Sequence, residues 1–142
     1  MPASGACSSR ASPTGKARPR FTRQGHAYTP AKTVHAENRI YLAWVEAGQP
    51  RLPDGPLQMT VIAAMERPAV HYRKDGSLSA AGTRATFPTR KPDADNLLKL
   101  AADALNGHAY RDDAQIVAAT VLKDWTEHGE PPYLEIVVGP AR

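Results

Sequence analysis

A chain of 142 residues with 42% hydrophobic content supports one domain around one core. No apolar run is long enough to span a bilayer, and the single cysteine, Cys7, excludes an internal disulfide and a cysteine zinc cluster. A net charge of +4 and a pI of about 9.4 suit a polyanionic partner without choosing one, although net charge alone fits a soluble protein that is simply basic better, and the lone thiol suits reducing cytoplasm.

Residues 1–17 are Ser, Ala, Gly and Pro with scattered charge, so a disordered basic tail is expected there and a single domain over 18–142. Ser4-Gly5-Ala6-Cys7 looks like a lipoprotein cleavage site, but no apolar run precedes it, so no signal peptide is expected. Arg10, Lys16, Arg18, Arg20, Arg23 and Lys32 all come before the first acid, Glu37. An arm that follows phosphates has this composition, and so does a solvated tail.

Arg18–Thr22 predicts a short strand. Thr29-Pro30 predicts a helix start, with a capping hydroxyl followed by proline at the first helical position. Val34, Ile40, Tyr41, Trp44 and Val45 recur at helical spacing, with Trp44 in the core and a stop near Gly48. Leu57–Met65 is short, partly β-branched and flanked by prolines, which predicts a strand. From Arg67 to Lys91 periodicity vanishes, and Arg67, Arg73, Lys74, Arg84, Arg90 and Lys91 face a single acid, Asp75. A mobile DNA-contacting loop is the expectation, with His71 and Tyr72 packed at a strand end.

Residues 95–106 predict the best helix, with Leu97, Leu98, Ala101, Ala104 and Leu105 as a buried stripe. Asp95, Lys99 and Asp103 fall on another face at i, i+4 and i+8. Asn106-Gly107 supplies the left-handed stop. Ala114–Lys123 and Tyr133–Val138 predict two further strands. The order β-α-β-α-β-β describes an α+β domain, a small mixed β-sheet with helices packed against it.

The helix is bracketed by acids: Asp93 and Asp95 before it, Asp112 and Asp113 after it. Each piece has an ordinary reading. Asp93 and Asp95 can cap free amides, Asp112-Asp113 can be a polar turn, and Lys99 can pair with Asp95 across one turn. Jointly they point elsewhere. If the chain returns along the helix after Gly107, Asp113 approaches Asp93 and Asp95, and carboxylates forced together repel unless a cation neutralises them. Their oxygens suit Mg²⁺, with Mn²⁺ as substitute, and not zinc. Beside basic surface, such a site suits phosphodiester hydrolysis, with Lys99 offsetting charge on the phosphorus. Leu98 and Leu100 exclude a calcium loop, and no phosphate-binding glycine loop is present.

Lys91-Pro92-Asp93-Ala94-Asp95-Asn96-Leu97 with Lys99, then Asp103-Ala104-Leu105-Asn106-Gly107, then Asp112-Asp113-Ala114-Gln115-Ile116-Val117, resemble the RusA family of crossover-junction (Holliday junction) endodeoxyribonucleases. Arg18-Pro19-Arg20-Phe21 and Ala27-Tyr28-Thr29-Pro30 resemble its N-terminal half, so the likeness runs over about residues 18–139. The resemblance implies a homodimer that binds four-way junctions and makes paired symmetric cuts with Mg²⁺. It assigns metal binding and catalysis to Asp93, Asp95 and Asp113, with Lys99 as the catalytic lysine, and leaves Asp103 and Asp112 without a role. Arg18, Arg20, Arg23, Lys32, Arg73, Lys74, Arg84, Arg90 and Lys91 are the candidate DNA contacts. Two other expectations stand beside it: a nuclease of this fold acting on flaps or forks, and a nucleic-acid-binding protein that does not cut.

Overall fold

The computed structural model of the chain describes residues 4–9 and 20–142. In order, the elements are β1 (Gly5–Ser9), β2 (Arg20–Phe21), β3 (Ala27–Tyr28), α1 (Ala31–Glu46), β4 (Leu57–Met65), α2 (Ala80–Arg84), α3 (Ala94–Leu105), β5 (Ile116–Trp125) and β6 (Tyr133–Pro140). The main sheet has the order β1-β6-β4-β5, and β2 and β3 form a separate hairpin. β4 runs parallel to β5 and antiparallel to β6. A parallel neighbour cannot be joined by a tight turn, so the chain between β4 and β5 must cross over the sheet, and α3 is that crossover. The α+β class and its mixed sheet agree with the sequence reading.

The core lies between one sheet face and the two long helices. Leu57, Met59, Val61 and Ala63 alternate inward along β4, and Leu134, Ile136 and Val138 do the same along β6. Ile40 and Trp44 from α1 meet Leu97, Leu100, Ala101, Ala104 and Leu105 from α3 over them. Burying each of those leucines contributes roughly 1.5–3 kcal/mol. Leu100 belongs to this stripe although it was not expected there, whereas Leu98 is only partly buried.

Several expectations change. Within the expected tail, Gly5–Ser9 pairs antiparallel with β6 and forms one sheet edge, while residues 10–17 lie outside the described residues. Gly5 permits this, because a Cβ there would lie 2.3 Å from the Trp44 ring. α1 begins at Ala31, one residue later than the proline signal suggested. Pro30 is its cap, and no side chain caps it. Its buried face is narrower than the apolar spacing implied, since Val45 is 53% exposed and buried Thr33 takes an inward position. β2 is shorter than Arg18–Thr22, and Arg18 lies outside the described residues.

The largest difference is between Arg67 and Lys91. This segment is ordered by its own contacts: a 3₁₀ turn over Ala69–His71 and helix α2 capped by Ser79. The Arg67 guanidinium donates to Gly82 O (2.9 Å) and Ala85 O (3.1 Å), filling carbonyls that the short helix leaves open. Gly82 approaches so closely that a Cβ would lie 2.3 Å from His71 O. Gly82→Ala should therefore lower stability by about 1–3 kcal/mol through overpacking. Amide exchange in residues 67–91 should rise more than in the sheet, and equal change in both would refute this local role.

Candidate active site

α3 carries the acids. Asp93 occupies its N-cap position, yet no side-chain capping bond forms there, and Asp95 lies in the first turn. Both are exposed, as is Lys99. The three make no ion pair among the described residues, so the ordinary roles of helix cap and Asp95–Lys99 pair are not taken up.

At the other end, Gly107 takes a positive φ of 76° and stops the helix as expected. The return is tightly fixed. The Tyr110 hydroxyl donates to Ala102 O (2.6 Å), and the Asp113 amide donates to Asn106 Oδ1 (3.0 Å). Asp112 has a structural role that its sequence position did not reveal: its carboxylate accepts from the Ala114 amide, while Gln115 Oε1 accepts from the Asp112 amide. Gln115 Nε2 donates to Gly55 O (2.9 Å), tying the turn to the segment before β4.

Asp113 therefore sits beside Asp112 and Asp103. Burial, then hydrogen bonding with Asp112 and repulsion from Asp103 and Asp112, raise its carboxyl above the usual carboxylate range. Burial and the charges of Asp113 and Asp103 push the Tyr110 phenol upward, so it remains a donor. The expected meeting of Asp113 with Asp93 and Asp95 does not occur within one chain. Asp103 is Asp113's helical neighbour, and Asp95 lies two turns away, about 12 Å along the axis. Among the described residues no three acidic, histidine or cysteine side chains are grouped to hold a metal ion. The all-carboxylate donor set fits a hard cation in chemistry, but its positions in a single chain do not close a site.

A raised carboxyl gives a stability prediction with a definite sign. Asp113 binds its proton more tightly folded than unfolded, so its ionised form opposes folding above the raised value. That opposition disappears below the ordinary value of 3.8. In metal-free protein, Asp113→Asn should raise the melting temperature at neutral pH, and the gain should vanish as pH falls below 3.8. A lower melting temperature at neutral pH would show that Asp113 stabilises the fold.

The basic residues divide by place. Arg20, Arg23 and Lys32 are exposed on the β2–β3 hairpin and the start of α1. Arg73 and Lys74 are exposed on a turn, and Lys91 is exposed beside Asp93. Arg84 and Arg90 line one cavity with Trp125, and the Arg90 guanidinium lies 5.7 Å from the Trp125 ring centre. Lys123 Nζ donates to Arg90 O, joining β5 to the approach to α3. His71 and Tyr72 pack as expected, His71 edge-on to Trp125 and Tyr72 stacked on His128. The sequence reading missed Phe87, Lys123 and Trp125. The aromatic residues within so basic a stretch were the available signal.

A mixed sheet carrying Asp93 and Asp95, without ion pairs among the described residues, at the start of a crossover helix, with exposed cations elsewhere on the chain, defines a scaffold suited to acting on a phosphate polyanion. The chain belongs to the RusA family: a family profile described as Endodeoxyribonuclease RusA matches residues 11–138. That membership implies a nuclease, a hydrolase of DNA acting on branched junctions. The chain is also 30% identical over 129 residues to the uncharacterized protein YqaN of Bacillus subtilis (strain 168), covering 89% of each. Among the described residues no helix is long and apolar enough to cross a membrane.

Proposed function

We propose that the protein is a Mg²⁺-dependent, structure-selective endonuclease that resolves four-way DNA junctions by paired symmetric cuts in recombination and repair. The observation that carries this reading is that Asp93, Asp95 and Lys99 take no structural role among the described residues, in a chain matched along most of its length to an endodeoxyribonuclease family. Asp93, Asp95 and Lys99, exposed at the start of a rigid helix and without ion pairs among the described residues, are available for substrate.

A hard divalent ion, when bound, supplies Lewis-acid polarisation of a phosphoryl oxygen and an activated water. Asp93, Asp95 and Asp113 are its candidate ligands, with Mn²⁺ as substitute. Lys99, one helical turn from Asp95, offsets negative charge that grows on the phosphate. Exposed arginines and lysines hold the DNA backbone. A homodimer suits a junction with two equivalent scissile phosphates. It also answers the gap between the acids: Asp113 of one copy joins the Asp93–Asp95 end of the other. Cytoplasm is the proposed compartment.

The test gives purified protein a four-way junction, a flap and a linear duplex, each with Mg²⁺ or EDTA. Symmetric, metal-dependent nicking confined to the junction is expected. Faster flap cutting would transfer the protein to other branched DNA, and binding with no cutting would leave a nucleic-acid-binding protein.

A further inference from the structure

We propose that the ordered segment between β4 and α3 builds a pocket for one unpaired nucleotide of a DNA strand, next to the acidic end of α3. The inference rests on the DNA-acting reading above and adds the form in which DNA is held. Phe87, Arg84, Arg90, His71 and Trp125 line a cavity of about 430 Å³, within the range of small-ligand sites. Arg90 lies three positions before Asp93, so the cavity adjoins the candidate catalytic end of the helix.

The wall is pre-organised. Trp125 Nε1 donates to Ala85 O (2.8 Å), and the Arg67 guanidinium lies 5.1 Å from the Trp125 ring centre. Arg90 Nη2 donates to Glu66 O (3.2 Å), which fixes its guanidinium while leaving other N–H groups for a ligand. Phe87, by contrast, is 55% exposed. An exposed ring in the same cavity wall as two arginines offers a stacking face with phosphate donors in the same lining. Paired bases in a duplex cannot present their faces to it, whereas an unpaired base can, and that combination is how proteins hold single strands. A nucleotide at a branch point is already poorly stacked, so extruding it costs least there.

The experiment uses the intact chain in EDTA, so no result depends on cutting. Three probes are titrated: a short oligo(dT), an abasic strand of equal length, and a blunt duplex. Phe87→Ala should weaken oligo(dT) binding by roughly 5- to 150-fold and leave abasic-strand and duplex binding unchanged. Phe87→Trp should retain oligo(dT) binding, and Arg84→Ala should weaken all three. With wild-type protein, a strand carrying 5-iodouracil should photocrosslink at Phe87. Unchanged oligo(dT) binding by Phe87→Ala, equal loss on the abasic strand, or crosslinks only elsewhere would each overturn the pocket. A chain that cuts no DNA but shows the Phe87 effect would refute the nuclease and keep the pocket. A chain that cuts junctions without the Phe87 effect would do the reverse.

Discussion

Asp95→Asn should abolish junction cutting, by at least about 1000-fold, the scale of several kcal/mol of lost transition-state stabilisation, while junction binding holds or tightens. Asn keeps the size and removes the charge. Asp95 is exposed, lies in the first turn of α3 and makes no ion pair among the described residues, so its loss leaves no buried partner stranded. The helix should lose at most a few tenths of a kcal/mol from its dipole interaction. DNA affinity should not fall, because one negative charge facing phosphate has gone. Cutting and binding measured on one preparation separate the two effects. Cutting at the wild-type rate would show that Asp95 is an ordinary first-turn acid.

The fold was legible wherever local pattern and tertiary burial agree. β4 matches its expected bounds because an uncharged, partly β-branched run between prolines has few other uses. α3 departs by a single residue at each end, because its stripe, its acids and Asn106-Gly107 all point to one element. β1 was hidden because Gly5–Ser9 has the composition of a linker. It is a strand through its pairing with β6 and through the absence of a side chain under Trp44, both long-range facts. The Arg67–Lys91 segment was unreadable for a related reason. Its organiser is one arginine bonding carbonyls 15 and 18 residues away, and no periodicity records that. At the site, the residue types were legible and their distances were not. Acids at both ends of a helix look close when the chain turns back, but a 12-residue helix keeps its ends apart.

That separation leads to a mixing experiment. Asp113 cannot travel to the start of α3 without breaking the hydrogen bond its amide donates to Asn106 Oδ1, the Tyr110–Ala102 hydrogen bond and the Gln115 tie to Gly55. A helix does not shorten, so the acids meet only if another chain brings them. Asp95→Asn and Asp113→Asn proteins should each be inactive alone. Co-expressed with different tags and purified as the mixed dimer, they should regain cutting. One composite site then holds an intact Asp95 from one chain and an intact Asp113 from the other, while the second site holds neither. The recovered product should be a junction nicked in one strand, not a paired cut. A mixed dimer as inactive as its parents would place both acids of each site in the same chain, with the turn after Gly107 rearranging on DNA. A particle mass equal to one chain, in the presence of junction, would remove the second copy altogether.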